Sequence, residues 1–386
     1  MKTDSPKRLC IMMPGHWSHT MGGSQYQAKC IIEELNKTGR YDISYLTRNY
    51  DPHCKDNGYK LVGYGYPGAR QRGSHRLLFE MVILPRILRK IDPHIIYQRV
   101  GGAQTGIAAH YAMRHHCRMV WHVASEHDLA PAPVSFSRLF IYRRLERHLL
   151  NYGIKHATHI IAQTEDQAKL LKQNFKRRAA EIIPNLHPLP EEPVTKQLPV
   201  KVVWVANLKA LKQPEVFIRL AHEIGERQDV RFLMIGAIQE NDSTRAKYLR
   251  LMGASQNLRY LGPRRQDDVN AILSESHILV NTSRYEGFPN TFIQAWLRQL
   301  PVVSLQVDPD RLIQRRQLGF VSGSFERLKQ DVLTLIVNAD LRNWMGKSAQ
   351  DFAAQRFSTR NISRIMRVFE NPVIREAKRP GSVEMD

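Results

Sequence analysis

The distribution of apolar residues divides this chain into short hydrophobic runs separated by longer segments with helical spacing. Short apolar runs bounded by turn residues indicate buried strands, whereas apolar residues at helical spacing indicate amphipathic helices. In the first half, strands are predicted at Leu9 to Met13, Ile43 to Thr47, Ile95 to Gln98, Met119 to His122 and His159 to Gln163. Helices are predicted at Gln25 to Asn36, Leu77 to Lys90, Gly106 to His115 and Ser137 to Tyr152. This alternation predicts a parallel sheet with helices on both faces.

The second half shows the same alternation after a proline-rich segment, Leu186 to Pro199, whose composition is typical of a linker. Strands are predicted at Lys201 to Ala206, Arg231 to Ile235, Leu258 to Leu261, His277 to Val280 and Pro301 to Leu305, with a helix at Glu215 to Glu226. Residues 325–370 are helical in pattern. Ligands of open parallel sheets bind at the carboxyl ends of the strands, so residues that follow strands are the candidates for function.

The segment Thr282 to Trp296 follows one of these strands. Pro289 and Asn290 mark a turn and a predicted helix start, because proline suits a first helical turn and asparagine caps it. The free N–H groups of that turn, at the positive end of the helix dipole, form a site for a phosphate. The Glu286 carboxylate, just before it, would repel a phosphate but can hold a hydroxyl. A phosphate site beside a hydroxyl site suits a sugar nucleotide.

The same segment resembles the Glu-x7-Glu region of retaining glycosyltransferases of family 4, which have the GT-B fold. The first Glu falls on Glu286 and the second position on Gln294, where this chain departs from the pattern. The resemblance implies that Glu286 orients sugar hydroxyls and that position 294 holds the ribose of the donor. A neutral amide makes weaker hydrogen bonds there than a carboxylate. The resemblance also assigns the intervening residues to the donor site: Gly287, Phe288, Pro289, Asn290 and Thr291.

Two further first-half segments match the family. Gly22 and Gly23, between the first strand and helix, let the backbone approach a ligand closely, and they resemble the family's Gly-Gly loop beside the donor diphosphate and the acceptor. His122 ends a predicted strand. A histidine there is more often structural than catalytic, but the family carries a histidine, a small-residue loop and an acid in this region. The resemblance implies that His122 contacts the transferred sugar, with His127 and Asp128 shaping the pocket.

In the second half, the family carries an arginine after the first strand and a lysine five positions later, both holding the donor diphosphate. These positions are Asn207 and Lys212 here, so the arginine is missing. Lys209 is the candidate to supply the missing charge. The resemblance places Gly236 and Gly262 at strand ends beside the donor base.

The predicted fold is therefore α/β of the GT-B type. Two Rossmann-like domains have parallel sheets that face each other across a cleft, and a C-terminal helix crosses back to the first domain. The predicted boundaries are residues 1–187 for the acceptor-binding domain, 188–199 for the linker, 200–355 for the nucleotide-sugar-binding domain and 356–386 for the crossover helix and a polar tail.

Composition narrows the choice of partners. The net charge of +21 favours an anionic partner, either a membrane surface or nucleic acid. No basic block with interleaved aromatics suggests a base-stacking groove, so we favour the membrane and expect no nucleic acid. Two basic amphipathic stretches, Arg72 to Lys90 and Phe136 to His148, could lie on an anionic bilayer or simply carry a solvated basic face.

Other features bear on location and cofactors. No apolar run approaches the ~20 residues of a membrane span, and the polar N-terminus lacks a signal-peptide pattern. The expected location is the cytoplasm, with peripheral binding to its face of the membrane. Four scattered cysteines, Cys10, Cys30, Cys54 and Cys117, predict free, mostly buried thiols. No metal or cofactor is predicted, and Asp308-Pro309-Asp310 is interpreted as a turn rather than a metal motif.

The predicted activity is metal-independent hexosyl transfer from a UDP- or GDP-sugar to a glycan or lipid-linked acceptor, with retained configuration, in cell-surface polysaccharide or glycolipid synthesis. One alternative is a weakened GT-B-like binding protein for sugar nucleotides or glycans, motivated by Asn207 and Gln294. Others are a phosphorylase or epimerase of the same fold and, more remotely, a nucleic-acid binder.

Overall fold

The computed structural model describes residues 5–19, 22–51, 53–54, 58–65, 74–130, 140–191, 194–225 and 229–371. The strands of its first sheet are β1 Lys7–Gly15, β2 Tyr41–Asn49, β3 Lys60–Gly63, β4 Ile95–Arg99, β5 Arg118–His122, β6 His159–Ala162 and β7 Glu181–Ile182. The helices that accompany it are α1 Gly23–Asn36, α2 Ser74–Ile91, α3 Ala103–Arg114, α4 Phe140–His156 and α5 Glu165–Phe175. The strands are parallel and ordered β3-β2-β1-β4-β5-β6-β7.

The second sheet contains β8 Val200–Val205, β9 Val230–Ile235, β10 Leu258–Gly262, β11 Ile278–Asn281, β12 Val302–Ser304 and β13 Gly319–Val321. Its helices are α6 Pro214–Ile224, α7 Asp242–Gly253, α8 Gln266–Glu275, α9 Asn290–Trp296, α10 Leu312–Arg316, α11 Phe325–Val337 and α12 Ala339–Arg356. These strands are also parallel, in the order β10-β9-β8-β11-β12-β13. In both sheets the order reverses beside the first strand, which creates a crevice at the carboxyl ends.

Burial on both faces explains why the strands read as continuous apolar runs. Along β1, Leu9, Ile11 and Met13 pack into a core on one face of the sheet. Cys10 and Met12 pack into a separate core on the other face. All five side chains are fully buried, and each such aliphatic side chain contributes roughly 1.5–3 kcal/mol through burial. A parallel sheet covered on both faces is the predicted arrangement, and it is confirmed.

The last helix, α13 Asn361–Glu370, returns to the first sheet. Ile365 and Phe369 are buried in the core of that sheet, and the Phe369 ring contacts the ring of Tyr97 on β4 at 5.6 Å between centroids. Arg364 Nε donates to Glu181 Oε1 at 2.7 Å. The predicted crossover helix and the GT-B arrangement are therefore confirmed.

Several element predictions need adjustment. The helical pattern of residues 325–370 divides into three helices, because the Asn338 side chain accepts from Leu341 N at 2.9 Å and starts a new one. The helix predicted from Ser137 is seen as α4, and its first three residues lie outside the described part. The strands β3 and β13 are short and were not predicted.

Two composition-based predictions can be compared with the structure. Cys10, Cys30 and Cys117 are buried and Cys54 is partly exposed, which agrees with the expectation of mostly buried thiols. Within the described part of the chain, no helix combines the length and apolar character that crossing a bilayer requires. The predicted linker and domain boundaries stay predictions.

Candidate functional site

A cleft of about 360 Å³ lies where the carboxyl ends of the two sheets meet. One wall follows strands of the first sheet and consists of Gly23, Ser24, Arg99, Ala124, Ser125, His127, Gln163 and Asn185. The other follows strands of the second sheet and consists of Leu211, Tyr285, Glu286, Gly287, Phe288 and Asn290. We call these the first wall and the second wall. Five predicted site residues thus lie in one cleft: Gly23, Glu286, Gly287, Phe288 and Asn290.

A second groove of about 560 Å³ is lined by Lys169, Lys172, Gln173, Lys176 and Arg178. It is larger, but all its residues belong to α5 and the turn after it. The cleft instead gathers residues that follow strands of both sheets, where parallel sheets bind ligands. The cleft is therefore the candidate functional site.

On the second wall, Glu286 forms an ion pair with Lys212. Ser283 Oγ donates to the same carboxylate oxygen at 2.8 Å. The Lys212 loop is held in place because Thr282 Oγ1 donates to the Lys212 carbonyl at 2.6 Å and itself accepts from Trp204 Nε1 at 2.9 Å. The lysine predicted to bind phosphate and the glutamate predicted to bind sugar are therefore neighbours. A diphosphate in the cleft would compete with Glu286 for Lys212.

Asn290 is the first residue of α9 and not its cap, which corrects the prediction. Pro289 occupies the cap position, and its side chain cannot cap the helix. The Asn290 side chain instead reaches the first wall: Nδ2 donates to Gly23 O at 2.8 Å, while Oδ1 accepts from Asn185 Nδ2 at 2.9 Å and from Gln27 Nε2 at 3.1 Å. One amide side chain thus connects the two walls.

The walls also touch through Gly287 and Tyr285. A Cβ atom on Gly287 would lie 2.5 Å from the Ala124 carbonyl oxygen, so only glycine permits this approach. The Tyr285 ring contacts the ring of His127 edge-on, with 4.4 Å between centroids. These contacts narrow the cleft beside Glu286.

His122 does not line the cleft. It is 1% exposed, and both ring nitrogens have partners: Nδ1 lies 2.7 Å from Tyr97 Oη and 3.2 Å from Arg99 Nη1, and Nε2 lies 3.2 Å from Ile183 O. A carbonyl only accepts and an arginine only donates, so Nε2 carries the proton and Nδ1 accepts. Burial, and secondly the charge of Arg99, lower the pKa of His122, which is therefore neutral.

The exposed histidine of this segment is His127, which lines the first wall. After β5 the chain enters a short 3-10 turn, Glu126–Asp128, and the Ser125 hydroxyl oxygen accepts from His127 N at 3.3 Å at its start. This turn carries His127 to the cleft, while Asp128 Oδ2 accepts from Gly101 N at 3.1 Å and braces the wall. The predicted sugar contact of His122 stays a prediction; in this structure His127, and not His122, lines the cleft.

Arg99, at the end of β4, was not predicted. It lines the first wall, is 1% exposed, and donates through Nη2 to Asn185 Oδ1 at 2.9 Å. The signal in the sequence was an arginine at the end of a buried strand that begins with the apolar run Ile95 to Tyr97.

The other second-half candidates cluster at the ends of β8, β9 and β10. Asn207 Oδ1 accepts from Ala237 N at 3.3 Å. Gly236 N donates to Gly262 O at 3.0 Å, and a Cβ atom on Gly236 would lie 1.7 Å from the Ala206 carbonyl oxygen. The structure brings these three predicted residues together, but they do not line the 360 Å³ cleft. Lys209 is exposed beside the turn that carries Lys212.

Gln294 lies one turn after Asn290 on α9 and is 3% exposed. Its Nε2 atom has no hydrogen-bond partner within the described residues, so it keeps a donor available for a hydroxyl. Thr291 is half-buried in the first turn of α9, and Gly22 precedes α1 at its cap position.

The Asp308-Pro309-Asp310 segment serves as a structural turn. Asp310 accepts from the backbone N–H groups of Glu165 and Asp166, each at 3.1 Å, at the start of α5. Asp308 accepts from Ile313 N at 2.8 Å. Across the described ranges, no group of three or more His, Cys, Asp and Glu side chains is placed to hold a metal ion.

Two models of known families match the chain, one in each half. The model described as Glycosyltransferase Family 4 matches residues 21–187, and the model described as Glycosyl transferases group 1 matches residues 199–338. Together they cover most of the chain. The chain belongs to the group 1, family 4 glycosyltransferases.

Curated relatives of this family 4 chain are distant. It is 26% identical over 186 residues to an uncharacterized glycosyltransferase of Methanocaldococcus jannaschii, which is 45% of either chain. It is 26% identical over 162 residues to a D-inositol 3-phosphate glycosyltransferase of Corynebacterium diphtheriae, covering 40% of this chain and 38% of that one. The chain thus matches less than half the length of these relatives.

Solved structures are similar to this chain over more of its length than the curated relatives are. Anabaena Alr3699/HepE in complex with UDP and glucose superposes with a TM-score of 0.70 at 17% identity, covering 94% of this chain and 99% of that one. WaaG, a glycosyltransferase involved in lipopolysaccharide biosynthesis, superposes with a TM-score of 0.73 at 13% identity, covering 94% and 100%. At these identities the likeness establishes the fold.

Proposed function

We propose that this family 4 chain transfers a hexose from a UDP- or GDP-sugar to a glycan or lipid-linked acceptor, with retention of configuration. The observation that carries the proposal is the ion pair of Lys212 and Glu286 on the second wall. In this proposal Lys212 stabilises the departing diphosphate, and the neighbouring Glu286 carboxylate binds sugar hydroxyls.

The departing nucleoside diphosphate gains negative charge as the glycosidic bond breaks. Lys212 and the N–H groups of the first turn of α9, at Asn290 and Thr291, would stabilise that charge as it develops. Before the donor binds, Glu286 neutralises Lys212. When the donor binds, its diphosphate pairs with Lys212 in place of Glu286, and the Glu286 carboxylate then orients the sugar hydroxyls.

In this proposal the acceptor binds at the first wall. His127 would contact the sugar there, and its contact with Tyr285 covers the cleft and limits access of water to the activated sugar. Gln294 would donate to the donor ribose through its unpartnered amide nitrogen. Asn207 carries no charge, so exposed Lys209 would supply the second cation.

The proteins that this chain resembles favour a phosphorylated or surface-glycan substrate. HepE forms a complex with UDP and glucose, WaaG is involved in lipopolysaccharide biosynthesis, and the corynebacterial relative is a D-inositol 3-phosphate glycosyltransferase. We extend the proposal to polysaccharide or glycolipid synthesis at the cytoplasmic face of a membrane. In α2, Leu78 and Val82 are more than half exposed near the basic residues Arg86 and Arg89, a pattern that suits an anionic bilayer surface.

The test is a donor panel with product analysis. Purified protein is incubated with UDP- and GDP-hexoses and lipid-linked acceptors, and released nucleotide and glycosylated product are measured, with NMR of the product for configuration. Addition of EDTA tests metal independence, and vesicle sedimentation tests membrane binding. Transfer that disappears with Lys212→Ala supports the site; a fully active variant contradicts it.

A second candidate is a sugar-nucleotide or glycan binding protein without turnover. It is motivated by Asn207, whose side chain holds the backbone of Ala237 where the family carries an arginine for the diphosphate. Calorimetry that detects nucleotide-sugar binding, combined with no product over the whole donor panel, would favour this candidate.

A further inference from the structure

Arg99 is a buried charge in the first wall without a countercharge. It is 1% exposed, and its guanidinium reaches three neutral groups: His122 Nδ1 at 3.2 Å, Tyr97 Oη at 3.5 Å and Asn185 Oδ1 at 2.9 Å. Its Nε atom is buried without a partner, and no carboxylate forms an ion pair with it among the described residues. An arginine stays protonated, so this positive charge remains.

The surroundings of Arg99 cannot neutralise it. His122 accepts from it through Nδ1 and donates through Nε2 to a carbonyl, so the imidazole is neutral. Removing a charge from water without a countercharge is strongly unfavourable. The fold therefore buries the Arg99 charge with neutral hydrogen-bond partners, and no carboxylate of the described residues pairs with it.

Two other buried arginines, Arg342 and Arg298, have a different kind of hydrogen-bond partner. Arg342 donates to the carbonyl oxygens of Leu335 and Ile336 in the last turn of α11. Arg298 donates to the carbonyl of Gln294 in the last turn of α9. Helix C-termini carry partial negative charge and stabilise cations. Arg99 has no such partner and faces the cleft instead.

The second wall differs, because Lys212, which lies beside it, is already paired with Glu286. Among the described residues that line the cleft, the positive charge without a countercharge is that of Arg99. We propose that Arg99 binds an anionic group, a phosphate or a carboxylate, of a substrate at the first wall. The planar guanidinium suits the oxygens of such a group. The inference deepens the proposed function, since the anion belongs either to the acceptor or to the donor diphosphate.

The test uses inorganic phosphate as the probe and the full chain as the protein. Phosphate is titrated by calorimetry into the unmodified protein and into the variants Arg99→Gln and Lys212→Ala, with Lys172→Gln as a control for the basic α5 surface. We expect Arg99→Gln to weaken phosphate binding at least about tenfold, the effect of losing a charge-assisted hydrogen bond. Lys172→Gln should leave this binding intact. Phosphate binding that survives Arg99→Gln unchanged overturns the inference.

A second titration, with UDP or GDP at saturation, separates the two sources of the anion. If phosphate still binds through Arg99, the group belongs to the acceptor; if the nucleotide displaces phosphate from Arg99, it belongs to the donor diphosphate. Should Arg99→Gln fail to fold, Arg99→Lys and a crystal of the unmodified protein soaked in tungstate replace it. Tungsten density beside the Arg99 guanidinium supports the site, and its absence there overturns it.

These outcomes separate the anion site from the activity. Phosphate binding at Arg99 without sugar transfer on any donor keeps the anion site and removes the proposed function. Sugar transfer without anion binding at Arg99 keeps the proposed function and removes the anion site.

Discussion

Each wall of the cleft has a cation, Arg99 in the first wall and Lys212 beside the second, and the two are held in opposite ways. Arg99, at the end of β4, lies among neutral groups and is 1% exposed. Lys212 lies on a loop after β8, its side chain is 19% exposed, and it is neutralised by Glu286. The first wall therefore offers a preformed charge, whereas the second offers one that a ligand must release from its partner.

The largest expected effect is on the second wall. Lys212→Ala removes the cation nearest Glu286, and transition-state donors of this kind typically contribute ~3–4 kcal/mol. We expect the rate of sugar transfer to fall about 10² to 10³-fold. Steady-state kinetics with the active donor measure it. Lys247→Ala, an exposed lysine of α7, is the matched control; equal effects of the two substitutions would mean that Lys212 is an ordinary surface lysine.

The contact between the walls is tested with Gly287→Ala. Its Cβ atom would lie 2.5 Å from the Ala124 carbonyl oxygen, so the walls must separate or the backbone must shift. We expect a loss of about 1–3 kcal/mol in the free energy of unfolding, measured by urea denaturation, together with weaker donor binding. The control is Gly253→Ala, where no atom lies within 4 Å of the added carbon. Two variants of equal stability would show that the walls separate freely.

Asn290→Ala removes the amide that joins the walls. It removes the acceptor of Asn185 Nδ2, one of the two acceptors of Gln27 Nε2, which also donates to Leu186 O, and a donor to Gly23 O. Loss of a partner for buried polar groups typically destabilises by ~1–3 kcal/mol. Asn290→Asp keeps an acceptor oxygen, loses the donor to Gly23 O and adds a negative charge at the N-terminus of α9, where the helix dipole stabilises it, so we expect a smaller loss in the same denaturation experiment. A reversed ranking of the two variants would contradict this account.

The smallest effect concerns pH. Burial lowers the pKa of His187, which contacts the Asn290 side chain, to about 3 from an ordinary value of 6.5. Between these values the unfolded chain binds one more proton than the folded chain, so this contribution to stability is complete above pH 6.5 and declines as the pH falls. Each such proton changes the free energy of unfolding by about 1.4 kcal/mol per pH unit. His187→Asn should flatten the pH dependence between about pH 6 and 4 by roughly 1 kcal/mol per unit.

The control is His222→Asn, which removes an exposed imidazole from α6. Urea denaturation over this pH range provides the measurement. If both substitutions changed the slope equally, burial of His187 would not be the cause.

Site residues that lie close together in the sequence could be predicted, whereas contacts between distant parts of the chain could not. Glu286, Gly287, Phe288 and Asn290 were found because they follow a strand in one continuous segment. His122 was preferred because it matched the family's histidine before a small-residue loop and an acid. Spacing along the chain does not show which residue after a strand lines the cleft, and in the structure the 3-10 turn Glu126–Asp128 brings His127 there.

The sequence by itself determined the architecture. Continuous apolar runs need burial on both faces, so their alternation with amphipathic helices already required two covered parallel sheets and placed the candidate residues at strand ends. Only the tertiary structure decided that Asn290 reaches Gly23, 267 positions earlier in the chain, and that Arg99 meets no carboxylate of the described residues. Periodicity is set by neighbours along the chain, whereas the partner of a side chain across a cleft is set by how two independently formed sheets meet.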